Sequence, residues 1–332
     1  MKLKRVFFLI LLFTLSFILF TFLQAQDTWI HTFSPFNADG YGVEDVIVSS
    51  DGGYAINGYY YVMDPFGGYE EWWGFLMKTD CDGNLLWVKA DTVSFMSENE
   101  SLAFIETDDG GFLSFGSSPW SSYIIKRDSE GNRLWSVFND FHVESVAKTI
   151  DGYIILGGVT TDNGYPGIRK ITHEAEILWT HDFFLSGSGI GRINSIIQTS
   201  DGEFAATGYT SGNGFDLFVL KTDSSGDSLW TQIFDGFGQF DQGWSIIEND
   251  EYNIFISGYY QGNNRTYYGI LIKLDIDGEL IFLLNEENSD DYYLFRSMVE
   301  SKMILHYCHI IMKVKINGVL CYLSDLRWET GA

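Results

Sequence analysis

Between residues 195 and 234 short apolar runs and polar breaks follow one another in a fixed order. Ser195-Ile196-Ile197-Gln198-Thr199 leads into the turn Ser200-Asp201-Gly202, and Phe204-Ala205-Ala206-Thr207-Gly208 follows. After a loop come Leu217-Phe218-Val219-Leu220-Lys221-Thr222-Asp223, the turn Ser224-Ser225-Gly226-Asp227, and Leu229-Trp230-Thr231-Gln232-Ile233-Phe234. Each run has strand length, is rich in apolar and β-branched residues, and is bounded by Asp, Gly or Ser. The pattern predicts four antiparallel strands.

The phrase recurs along the chain. Its closing aromatic appears as Trp29, Trp87, Trp135, Trp179, Trp230, Phe282 and Tyr322, at intervals of 58, 48, 44, 51, 52 and 40 residues. The first turn returns as Asp51-Gly52-Gly53, Asp109-Gly110-Gly111 and Asp151-Gly152, and decays to Asp250-Glu251. Asp-Gly favours left-handed turn conformations, which places hairpins there. A period of this length built from four strands fits a propeller blade better than a solenoid coil. The expected fold is an all-β propeller of about six four-stranded blades over residues 27–323. Trp29-Ile30-His31-Thr32-Phe33 matches the outermost strand of a blade, so the chain starts with an orphan strand that can close the ring and remove exposed edges. The last repeat is short and lacks an Asp-Gly first turn, so either Trp29 or Tyr322 supplies its outer strand. Residues 324–332 form a tail.

Residues 1–25 read as an export signal. Lys2, Lys4 and Arg5 precede an uncharged run from Val6 to Phe22, and Ala25 ends a plausible cleavage point. An uncleaved anchor is the alternative, since the run approaches the roughly 18 residues that cross a bilayer. An exported, secreted, periplasmic or cell-surface protein is expected, with no membrane segment in the mature chain. The net charge of −25 with only 20 Lys and Arg argues against nucleic acid or an anionic membrane as partner. Cys81, Cys308 and Cys321 are too few for a disulfide framework.

At the turn before the aromatic, Asp80, Gly83 and Trp87, then Asp128, Gly131 and Trp135, then Asp223, Gly226 and Trp230 follow in order. This resembles the tryptophan-docking repeats of quinoprotein-like propellers; the third repeat departs from it with Thr172 and Ala175, and the fifth with Phe282. The Asp-Gly-Gly-Tyr turn and the Lys-Thr-Asp and Gly-Asn-Leu-Trp hairpin also resemble the tandem propeller repeats of secreted bacterial proteins. The quinoprotein resemblance would imply a quinone at the ring centre, but neither its ligand motif nor an adjacent cysteine pair is present, so no cofactor is expected.

In such a propeller the tight turns share one face, and the loops between second and third strands and between blades share the other. Variable loops on a rigid scaffold are where binding residues concentrate. The ligand-binding candidates there are Tyr60, Trp72, Trp73, Trp120, Tyr165, Phe215, Tyr267 and Tyr268, rings suited to stacking on sugars or gripping peptide side chains. The seven repeat aromatics are read as blade anchors. Acidic residues on the same face, Asp162, Asp216 and Asp241 among them, read as solvated surface, although a suitable carboxylate pair could hydrolyse a glycoside. Asp80, Asp82 and Asn84 echo part of a calcium loop but read as a hairpin turn. No metal is assigned, to His306, Cys308 and His309 included. The expected function is a monomeric, non-catalytic module binding a glycan, peptide or protein. The alternatives are a carbohydrate-active hydrolase or lyase on a propeller scaffold, and a propeller piece of a larger surface protein.

Overall fold

The structure is a computed structural model, and it describes residues 31–63, 71–90, 100–118, 121–185, 187, 189–211, 214–235, 240–262, 267–285, 314–315 and 318–319. The strands form five four-stranded antiparallel sheets, each a simple meander. Blade 1 contains β1 (Gly40–Val48), β2 (Tyr54–Val62), β3 (Glu71–Thr79) and β4 (Leu85–Ala90). Blade 2 contains β5 (Glu100–Glu106), β6 (Phe112–Ser118), β7 (Ser121–Arg127) and β8 (Arg133–Asn139). Blade 3 contains β9 (Phe141–Lys148), β10 (Ile154–Thr160), β11 (Pro166–Ile171) and β12 (Ile177–Asp182). Blade 4 contains β13 (Gly191–Gln198), β14 (Phe204–Ser211), β15 (Phe215–Thr222) and β16 (Ser228–Phe234). Blade 5 contains β17 (Asp241–Glu248), β18 (Ile254–Gln261), β19 (Tyr267–Leu274) and β20 (Leu280–Asn285). The first strands of successive blades touch one another, so they line the axis of a β-propeller.

One registration repeats in every blade. The third-strand lysine lies opposite the fourth-strand aromatic: Lys78 and Trp87, Lys126 and Trp135, Lys170 and Trp179, Lys221 and Trp230, Lys273 and Phe282. Four of these lysines are buried, where an unpaired ammonium would be costly. Each reaches the aspartate of its own blade's first turn: Lys78 to Asp51 at 2.8 Å, Lys126 to Asp109 at 2.8 Å, Lys170 to Asp151 at 2.6 Å and Lys221 to Asp201 at 2.9 Å. The Asp-Gly turn and the lysine some 20 residues later are therefore two halves of one buried ion pair. Blade 5 lost the aspartate, and Lys273 lies over the Phe255 ring at 5.2 Å. There the Asn249 side chain accepts hydrogen bonds from the backbone of Glu251 and Asn253 and holds the turn instead.

Between the five blades run four apolar seams, each a separate core cluster joining adjacent sheets. The repeat tryptophans clasp them. The Trp87 indole donates to the Ser129 carbonyl of blade 2 at 3.1 Å, and Trp230 to the Ile276 carbonyl of blade 5 at 3.3 Å. The receiving turn must be flat against the ring: a Cβ on Gly226, at φ +91°, would fall 2.8 Å from Trp179. In blade 3 that place belongs to Ala175, which sits at φ 63°, while the Thr172 hydroxyl accepts from Glu174 and Glu176 in the role of the missing aspartate. Side chains also bridge neighbouring turns, as Glu106 does to Ser50, Lys148 to Asp108, Gln198 to Ile150 and Glu248 to Ser200.

Residues 1–25, the anchors Trp29 and Tyr322, and the tail 324–332 lie outside the described residues. Of the last repeat only a two-stranded hairpin is described, β21 (Val314–Lys315) and β22 (Gly318–Val319), which falls where the pattern expects the third-to-fourth strand turn. Among the described residues no helix is long and apolar enough to cross a membrane.

Candidate functional site

The turn face is consumed by its own structure. Its carboxylates cap backbone amides: Asp80 Oδ1 accepts from Asp82 and Asn84, and Asp223 and Asp275 repeat the pattern. The calcium-like spacing is thus a hairpin turn. Burial pushes the Asp201 carboxyl up, and the hydrogen bonds from Thr199, Lys221 and the Glu203 amide outweigh it and hold the group at about 2. The same balance lowers Asp109 and Asp151, again against burial.

The loop face is where the repeats diverge. Counting back from the repeat lysine, the sixth and fifth residues are Trp72 and Trp73, Trp120 and Ser121, Gly164 and Tyr165, Phe215 and Asp216, Tyr267 and Tyr268. Seven of the eight candidate rings therefore occupy the same two positions of the repeat sequence; Tyr60 lies directly across from Trp73. Trp120 lies outside the described residues. The rings meet others locally. Trp72 stands between Tyr59 and Tyr61 at 4.9 and 5.0 Å, and Tyr60 stacks on Phe36 at 4.3 Å. Tyr165 meets Phe184 at 5.7 Å, and Phe215 meets Tyr209 at 4.9 Å and Phe240 at 5.2 Å. Tyr267 meets Tyr259 at 5.2 Å, and Tyr268 stacks on the buried Tyr260 at 5.2 Å. In blade 4 the sixth position, Phe215, faces Phe240 at the following blade; in blade 5 the fifth, Tyr268, packs on the core between blades 4 and 5.

Two sets of residues escaped the sequence reading. Each first strand carries a bulge at one repeat position, occupied by Glu44, Leu102, Glu144, Asn194 and Trp244. Around it Arg192 pairs with Glu144 at 2.6 Å, Asn194 donates to the Gly243 carbonyl at 2.8 Å, and the Trp244 ring stacks on Tyr259 at 6.2 Å. Burial, and then the charge of Arg192, lower the pKa of His142 beside them. These residues lie five before the Ser, Thr or Asn that opens the first turn, so aligning the repeats on that residue would have exposed the position.

The second is Asp216, grouped above with the solvated acids. It is 8% exposed, and burial, then the charge of Asp235, raise its pKa. It lies across from Thr210 in the strand register. Elsewhere Arg169 is buried and paired with Asp140 at 2.6 Å, with Asn139 and Thr180 as further partners. Among the described residues no group of three His, Cys, Asp or Glu side chains is arranged to hold a metal.

No family model matches this chain, and no curated protein matches it. Solved structures do. Sqt1 from Chaetomium thermophilum is similar at 12% identity over 82% of this chain and 69% of its own, with a TM-score of 0.51. A virginiamycin B lyase from Staphylococcus aureus is similar at 13% identity over 76% of this chain and 77% of its own, TM-score 0.44. An apocarotenoid oxygenase from Synechocystis is similar at 14% identity over 76% and 63%, TM-score 0.46. At such identities the likeness is one of fold, and fold by itself does not select an activity.

Proposed function

We propose that this chain is an exported, six-bladed, non-catalytic propeller that binds a glycan, peptide or protein through its loop face. The observation carrying this reading is the division of labour between faces. On the turn face the recurring polar side chains are engaged with one another and with the backbone; on the loop face the two residues six and five before the repeat lysine vary among the blades and are mostly aromatic. A rigid ring presenting varied rings of this kind is a recognition surface.

Two observations support a sixth blade formed by the last repeat and the Trp29 strand. Val43 and Val46 are 64% and 56% exposed, whereas the corresponding Ile193 and Ile196 of blade 4 are 0% and 2% exposed against blade 3. Asp80, held below the usual range first by its hydrogen bond from Asn84, also feels His31, just as His181, two residues past Trp179, lies 3.8 Å from Asp227 in the next blade.

Alanine at Trp72, Phe215 and Tyr267 together is expected to abolish capture in a glycan and surface-protein screen while leaving the melting temperature within a few degrees. Undiminished capture would remove the loop face from consideration. Turnover of a polysaccharide panel by the purified protein would replace the binding reading with the hydrolase or lyase one.

A further inference from the structure

In blade 5 the mouth of the seam toward the preceding blade is closed by two stacked rings, the cross-strand partners Tyr260 and Tyr268. Blade 1 places Tyr60 across from Trp73 at the same two positions. Blade 4 departs: its pair is Thr210 and Asp216. Strand alternation turns both toward blade 3, on the side of Phe218 and Leu220, which pack with Ile168 and Phe183 of that blade. The approach there is close, since a Cβ on Gly191 would meet Thr210 and the Pro166 ring at 2.9 and 3.0 Å.

Asp216 is 8% exposed, and among the described residues its side chain takes part in no hydrogen bond or ion pair. The Leu217 to Phe234 register puts Asp235 one step further along, across from it, and the two carboxylates repel. A buried, unpaired carboxylate beside a second one destabilises the free protein. The buried lysines of blades 1 to 4 and Arg169 each have a carboxylate within 2.9 Å, whereas the charged neighbour of Asp216 is a second carboxylate, which suits this place to a cation.

We propose that the seam between blades 3 and 4 is a binding site for an organic cation, the ammonium or guanidinium of a basic peptide, with Asp216 and Asp235 as counter-ions. A divalent metal fits less well, because it requires about six oxygen ligands and these residues join no group of three ligating side chains among those described. A single ammonium or guanidinium is a good match for two carboxylates. The aromatic pair Tyr165 and Phe184, 5.7 Å apart, stands beside Gly189 in the connection from blade 3 to blade 4 and offers ring faces to a cation. The chain's net charge of −25 draws such a partner in. The site rests on the loop-face reading and specifies its ligand.

The test is titration of the full chain with a hexa-arginine peptide in physiological salt, comparing Asp216→Asn with Asp277→Asn, which removes the same charge from the turn face. Asp216→Asn is expected to weaken binding about tenfold or more and to leave the melting temperature equal or higher. Asp277→Asn is expected to leave affinity within about twofold, since rim charges act mainly through screened, long-range attraction. Equal weakening by both variants would reduce the effect to general acidity and overturn the site. So would a lower melting temperature for Asp216→Asn, which would reveal a structural partner, or stabilisation by calcium that Asp216→Asn removes. Loss of peptide binding in Asp216→Asn with capture intact in the triple aromatic variant would sink the aromatic reading alone; the converse would sink only this site.

Discussion

Removing the first-turn aspartate should cost more than removing the lysine it pairs with. Lys221 is 1% exposed, with Asp201 Oδ2 at 2.9 Å and Glu203 at 3.2 Å, and its ammonium also donates to the Thr199 hydroxyl at 2.7 Å. Asp201→Asn leaves that cation buried. Breaking a buried pair in this way costs about 3–5 kcal/mol. Because the Asp201 side chain is 36% exposed and Glu203 remains, the expectation falls to about 2 kcal/mol. Lys221→Met keeps the apolar stem and leaves a carboxylate still bonded by Thr199 and the Glu203 amide and open to water, for about 1 kcal/mol or less. Asp151→Asn should cost at least as much, about 2 kcal/mol after the same discount for a side chain 52% exposed, because Lys170 keeps ring faces alone, Tyr153 at 5.1 Å and Phe204 at 6.0 Å. Urea unfolding midpoints measure all three. Acid adds a second reading. Asp201 has a folded pKa of about 2 against an ordinary 3.8, so its contribution is present above the ordinary value and lost as pH falls through the folded one. The stability gap between the wild type and Asp201→Asn should therefore close on going from about pH 4 to about pH 2. A Lys221→Met variant less stable than Asp201→Asn would refute the argument that the stranded buried cation dominates.

The docking turns make opposite predictions at equivalent sites. Gly226→Ala forces a side chain into the left-handed region and against Trp179, so a loss of about 2 kcal/mol is expected; Ala175→Gly relieves φ 63° and should gain about 0.5 kcal/mol. Thermal melts of the two variants would measure both. Ring closure has its own check: if the last repeat covers Val46, Val46→Asp should destabilise as strongly as Ile196→Asp, whereas a Val46 that stays 56% exposed would tolerate the change within about 0.5 kcal/mol.

The repeat was legible because its features are local. Strand runs, Asp-Gly turns and the spacing from Lys221 to Trp230 are set within one blade, so the chain alone determined an all-β array of four-stranded units. What the phrase is for was not legible. That Lys221 reaches back to Asp201, and that Trp230 serves the next blade rather than its own, depends on pairing across about 20 and 50 residues, which no local pattern encodes. The candidate rings were found as a list; counting back from the repeat lysine shows that seven of them share two adjacent positions of the repeat. Asp216 was misread as surface because burial belongs to the seam between two sheets, and a carboxylate looks the same in a sequence whether water or a neighbouring blade surrounds it. Sequence thus determined the blade, through the residues each strand and turn requires. Tertiary structure decided which face is used up in holding the ring and which charge was left unpaired, because both follow from how one blade packs against the next.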